Sequence, residues 1–102
     1  MVLLEFSMSP FAKGESLSPY VARSLDIIDK SGLPYQLTPM GTIIEGEWDE
    51  VMALVRRCHE QARVGSTHVM TTLRIEDELG ATDKLHENIA SVERSAGRAF
   101  HH

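Results

Sequence analysis

The side chains of this chain that could do chemistry are hydroxyls and carboxylates on extended, alternating segments. Ser7, Ser9, Thr38 and Thr42 supply hydroxyls, and Glu5 and Glu45 supply carboxylates. A hydroxyl both donates and accepts a hydrogen bond, and an ionised carboxylate accepts, so the set can hold the polar edge of a small molecule. Each residue also has a plainer use. The hydroxyls suit a solvated or subunit-facing strand. Glu5 can pair across strands with Arg74, and Glu45, just before Gly46 and Glu47, reads as an exposed acid at a turn. Trp48, the only tryptophan, suits a hydrophobic staple at the start of a helix, or a wall for a ligand ring. Met40 and Met70 suit interface or core packing, with Met40 also among the candidate contacts.

Other chemistries find no support. Cys58 and His59 are neighbours on a helix, so their side chains diverge by about 100° and cannot chelate one ion together. Cys58 falls on an apolar stripe and reads as a buried small hydrophobe. His68 has no second ligand, and His86 beside Glu87 reads as solvated. No His-x-x-x-His, paired-cysteine motif, P-loop or Gly-x-Ser-x-Gly occurs. Ser7, His68 and Glu5 share a sheet face, but a triad needs hydrogen-bond geometry that no spacing here supplies. An enzyme is not expected, nor is a metal or a required cofactor.

The elements that must position these groups form one small domain of 102 residues, the last six (97–102) a tail. A chain this short has a single core and covers little of its own surface, which favours self-association. With 42% hydrophobic and 25% charged residues the composition is globular, and a net charge of -5 argues against nucleic acid as partner. One cysteine excludes an internal disulfide and fits the cytoplasm. No apolar run approaches the roughly 18 residues of a membrane span, and Met1–Ser9, interrupted by Glu5, reads as a strand and not a signal. The terminal His101 and His102 read as an expression-tag remnant.

Val2, Leu4, Phe6 and Met8 alternate with Leu3, Glu5, Ser7 and Ser9, which predicts a first strand over Met1–Ser9. Ser18-Pro19 starts a helix with a hydroxyl cap and proline at its first position, Leu17, Val21, Leu25 and Ile28 keep helical spacing, and Ser31-Gly32 stops it. Tyr35–Thr38 and Thr42–Glu45 read as strands joined by a hairpin or bulged bend at Pro39-Met40-Gly41. Glu47 to Glu50 opens a second helix whose stripe is Val51, Leu54, Val55, Cys58 and Ala62. His68–Glu76 alternates as a fourth strand. Thr82 or Asp83 caps a last helix with Leu85, Ile89, Val92 and Ala96 on one side, ended by Gly97.

The first six elements give a ferredoxin-like βαββαβ α+β sandwich, an antiparallel sheet with both helices on one face, followed by an extra C-terminal helix. Phe6, Leu37, Val69 and Leu73 face the helices. The other face carries Leu3, Glu5, Ser7, Ser9, Gln36, Thr38, Met40, His68, Met70, Thr72 and Arg74, with nothing from the same subunit to cover it. Its mixture of apolar and hydroxyl groups suits packing on a second subunit while holding a ligand on or beside it.

The stretch Gly14 to Glu60, with its core SGLPYQLTPMGTIIEGEWDEV at Ser31 to Val51, the preceding EFSMSP at Glu5 to Pro10 and the later TTLRIED at Thr71 to Asp77, resembles the thiamine-binding protein family, a YkoF-like group formerly of unknown function. The resemblance runs to about Gly97. It implies a ferredoxin-like fold, homodimers that pair into homotetramers through their sheets, no known catalysis, and thiamine or its hydroxymethylpyrimidine part as ligand.

Thiamine presents an aminopyrimidine edge and a permanently charged thiazolium, so its site needs hydroxyls, an apolar or aromatic wall and nearby negative charge. The resemblance therefore marks Ser7, Ser9, Thr38 and Thr42 for the edge, Glu45 and Glu5 for the charge, and Trp48 and Met40 as flanking contacts. The alternative is a regulatory or interaction module of the same fold that senses another metabolite, or an anion read by Arg74.

Overall fold

A computed structural model describes residues 1–10 and 18–101. The expected apolar position Leu17, the side chain of the expected cap Ser18, and His102 lie outside the described residues. The elements in chain order are β1 (Val2–Pro10), α1 (Ser18–Ser31), β2 (Tyr35–Thr38), β3 (Gly41–Gly46), α2 (Trp48–Val64), β4 (Val69–Asp77) and α3 (Lys84–Ala96). They build an antiparallel sheet of order β2-β3-β1-β4. This is the expected α+β arrangement, with strand limits displaced by one residue or so from the sequence reading.

The alternation along β1 decides the two faces. Val2, Leu4 and Phe6 are buried with Ile44 of β3 against Ile28 of α1 and Val51, Leu54, Val55 and Cys58 of α2. The whole predicted stripe of α2, ending at Ala62, is buried. Each aliphatic side chain so enclosed contributes roughly 1.5–3 kcal/mol, far above the ~0–1 kcal/mol of an exposed ion pair, so this layer carries the fold. α1 stops as its sequence dictates: the amide of Leu33 donates to Ser31 Oγ at 3.2 Å, and Gly32 takes a positive φ of 80°. α2 begins with acidic residues in its first turn, and the Glu47 amide donates to Glu50 Oε1 at 3.1 Å.

The second sheet face departs from expectation at one end. Glu45, Leu3 and Glu76 form one row across β3, β1 and β4, and α3 docks its first turn there. Glu45 is only 2% exposed; its carboxylate accepts the amides of Lys84 at 2.6 Å and Leu85 at 3.4 Å. The expected exposed acid at a turn is thus a buried cap for a helix 39 residues further on. It does the work assigned to Thr82 or Asp83, since Asp83 makes no side-chain cap bond and sits at φ 57°. Carboxylate at a helix start also matches the helix dipole.

Lys84 adds a polar tether, its Nζ lying 2.7 Å from Glu76 Oε1 and also against Glu78. The bond to Glu76, then that to Glu78, raises the Lys84 ammonium above its ordinary range. The bond from Lys84 in turn holds the Glu76 carboxyl below its usual value. A depressed acid stabilises above its unfolded pKa, so this tether is present at neutral pH and is lost as pH falls through the folded-state value. Further along α3 the cover ends: Leu85 is buried, but Val92 is 60% exposed. Elsewhere on the face Ser7, Met70, Thr72 and Arg74 stay exposed, and Glu5, Ser9, Gln36 and Thr38 are half-buried.

Glu45→Ala removes an acceptor for two helix-start amides. It should cost about 1–2 kcal/mol, as loss of a helix cap does, and speed amide exchange in the first turn of α3 while leaving β1 protected. Unchanged exchange at Lys84 and Leu85 would show that the carboxylate does not hold the helix.

Candidate functional site

β1 pairs with β4 along its whole length, from Val2 with Asp77 to Pro10 with Val69, yet its register with β3 ends at Phe6 with Thr42. The cause lies in the hairpin. Pro39 has no amide to donate, the chain reverses over Pro39 and Met40, and β3 starts only at Gly41. Among the described residues, Met8 and Ser9 therefore have a strand partner on one side only. A cleft of about 350 Å³ opens between this free edge, the hairpin tip and the first turns of α1. That volume is within the roughly 300–1,000 Å³ of small-molecule sites.

Phe6, Met8, Leu37 and Thr42 form its sheet side, and Tyr20, Val21 and Ser24 its helix side. The rim is Thr38, Pro39, Met40 and Gly41, with Ser7 and Ser9 along the β1 edge. An added Cβ on Gly41 would stand 2.7 Å from the Phe6 carbonyl oxygen, so only glycine lets the hairpin sit this close to β1. Thr38 fixes the turn, its hydroxyl donating to the Gly41 carbonyl at 2.9 Å and accepting the Met40 amide at 3.2 Å.

Tyr20 is buried, with the Arg23 guanidinium 4.7 Å from its ring centre, a cation–π contact that steadies the aromatic wall. Behind the cleft the Cys58 thiol donates to the Ser24 carbonyl at 3.8 Å, joining α2 to α1. Burial pushes that thiol above its usual pKa, so Cys58 stays protonated at neutral pH, as expected of a core hydrophobe.

Ser7, Ser9, Thr38, Met40 and Thr42 thus meet at one cavity, beside the open face and not upon it. Thr42 differs from the other hydroxyls: in register with Phe6 and Leu37, it belongs to the helix-facing side and is 6% exposed. The remaining candidates stand apart. Glu5 makes the cross-strand pair with Arg74, Oε1 to Nη2 at 3.5 Å. Glu45 is engaged by α3. Trp48, 50% exposed in the first turn of α2, does not line the cleft. Every described side chain on the cavity is uncharged, so the negative charge sought near the ligand is not among them. No group of three or more His, Cys, Asp or Glu able to hold a metal occurs among the described residues.

Sequence reasoning missed Tyr20 and Ser24. The available signal was a tyrosine and a hydroxyl four residues apart on α1, which places them on one side of the helix.

A protein-family model described as thiamine-binding protein matches residues 4–93. The UPF0045 protein Mb1933 of Mycobacterium bovis is 36% identical over 94 residues, 91% of this chain and 92% of that protein. A UPF0045 protein of Methanothermobacter thermautotrophicus is 36% identical over 95 residues, 90% of this chain and 96% of its own. The crystal structure of the hypothetical protein MJ1052 from Methanocaldococcus jannaschii matches with a TM-score of 0.82 at 25% identity, covering 89% of this chain and 94% of that one. The fold is also that of TM0486 from Thermotoga maritima, a candidate thiamine biosynthesis/salvage protein, with a TM-score of 0.77 at 22% identity over 89% and 97% of the two chains.

Gly41→Ala should push the hairpin off β1 and lower stability by about 1–3 kcal/mol, as overpacking does. A denaturation midpoint equal to that of the unaltered chain would contradict the close seating on which the cleft depends.

Proposed function

Because this chain belongs to the thiamine-binding protein family, we propose that its cleft binds thiamine or a related pyrimidine such as hydroxymethylpyrimidine, without catalysing a reaction on it. The observation that carries this reading is the composition of the cavity. Hydroxyls from β1, β3 and α1 sit among Phe6, Met8, Tyr20, Val21 and Leu37, a pairing of polar edge groups with flat apolar walls that suits a heteroaromatic ring. In this reading the protein works in the cytoplasm and needs no cofactor. No helix among the described residues is long and apolar enough to cross a membrane.

Self-association belongs to the same proposal. The sheet face away from α1 and α2 leaves Met70 56% exposed beside Ser7 and Thr72. The molecule measures 47 × 29 × 21 Å with a radius of gyration of 15.0 Å, against about 13 Å for a compact chain of this length. A second copy laid on that face covers the exposed methionine and gives a dimer, or a tetramer if the pairing repeats.

Titration calorimetry with thiamine, thiamine phosphates and hydroxymethylpyrimidine should give saturable heat with at least one of them, and a raised melting temperature. No heat and no thermal shift at millimolar concentrations of any would overturn the ligand assignment. Light scattering during gel filtration should give a dimeric or tetrameric mass that Met70→Asp lowers; a monomeric mass for the unaltered protein at tens of micromolar would overturn the pairing.

A further inference from the structure

We propose that Thr42 and Ser24 act as a pair of specificity-determining hydroxyls, one on the sheet side and one on the helix side of the cleft, that select an uncharged ring carrying hydrogen-bonding groups on its edge. The inference rests on the pyrimidine reading and adds to it the residues that enforce it.

Thr42 is the stronger half. It is 6% exposed and stands between Phe6 and Leu37 in the ladder, where valine would fill the same space. Its hydroxyl makes no hydrogen bond with any described residue. No fully enclosed side-chain oxygen or nitrogen among the described residues lacks a partner, so the Thr42 oxygen retains an opening, and the cavity it lines provides one. No bond inside the protein therefore favours a hydroxyl over valine at this position, and its one outlet is the cleft, where a ligand group can meet it.

Ser24 meets the same cavity from α1. Its side chain also bonds to no described residue, while its carbonyl accepts the Cys58 thiol and anchors that turn of the helix. Three of the other polar side chains are less available. Thr38 spends its hydroxyl on the turn, Tyr20 already has a partner, and Ser7 is exposed at the β1 edge. With Tyr20 and Val21 above and Phe6 and Leu37 below, a ring enters between helix and sheet, and the two free hydroxyls meet its edge. Each both donates and accepts, so the pair suits an edge with mixed groups. Sites of this kind reject analogues that leave their polar groups unpaired.

The experiment compares hydroxymethylpyrimidine with benzyl alcohol, which has a ring of the same size but no ring nitrogens or amine, by calorimetry and thermal melting. Thr42→Val and Ser24→Ala should each weaken hydroxymethylpyrimidine binding about tenfold, the equivalent of one hydrogen bond. Both should narrow its preference over benzyl alcohol. Thr42→Val should melt no lower than the unaltered protein, and Thr42→Ser, which keeps the hydroxyl, should restore most of the affinity. If the unaltered protein binds the pyrimidine and both deletions leave its affinity and preference unchanged, the pair is not the selector, though the pyrimidine reading stands. If the unaltered protein binds neither compound, the selector proposal falls, while the thiamine reading is decided separately by the titrations with thiamine and its phosphates.

Discussion

The constraint on which the structure depends is that β1 is an inner strand, paired on both sides, and is longer than one of its neighbours. Its apolar side anchors the core, its two edges carry the ladders to β3 and β4, and its alternation allots every residue to a face. β4 follows it to Pro10; β3 does not reach past the hairpin turn. The core and the cleft are therefore two results of the same strand. Where both edges are paired there is packed interior, and where one is free there is room for a ligand.

Local sequence carries as much of this as local physics determines. Strand alternation in β1 and the stripe of α2 were legible because each depends on a period along a single segment. The Glu5–Arg74 pair was legible because the ferredoxin-like order makes those strands neighbours. Glu45 was not. Its partners are backbone amides 39 residues away, and nothing around Glu45 marks it as a cap rather than a turn acid. Likewise, the docking of α3 on the face expected to be open is a tertiary event with no periodic trace.

The candidate site was half legible for the same reason. Ser7, Ser9, Thr38 and Thr42 were selected as strand hydroxyls and Met40 as a flanking contact; they lie near strand ends, which is where the unequal ladder leaves its gap. Tyr20 and Ser24 come from the element above the sheet, and sequence does not tell which turn of a helix overhangs a gap. Glu5, Glu45 and Trp48 were chosen for chemistry alone. The fold gives the first two to an ion pair and a helix cap, and places the third at the far end of the hairpin's second strand, where α2 begins.

The hairpin that limits the cleft can change in length without disturbing the core. Side chains along a strand change faces at every residue, so a change of one residue in β2 or β3 would reverse the facing of everything beyond it. A change of two in both strands preserves every facing. Adding such a pair would continue the ladder beside Met8 and close the gap, and removing one would widen it. The buried row of Leu4 with Ile44 would be unmoved in either case. Pocket size in this architecture can thus evolve in discrete steps of two residues per strand, separately from the core that keeps the protein folded.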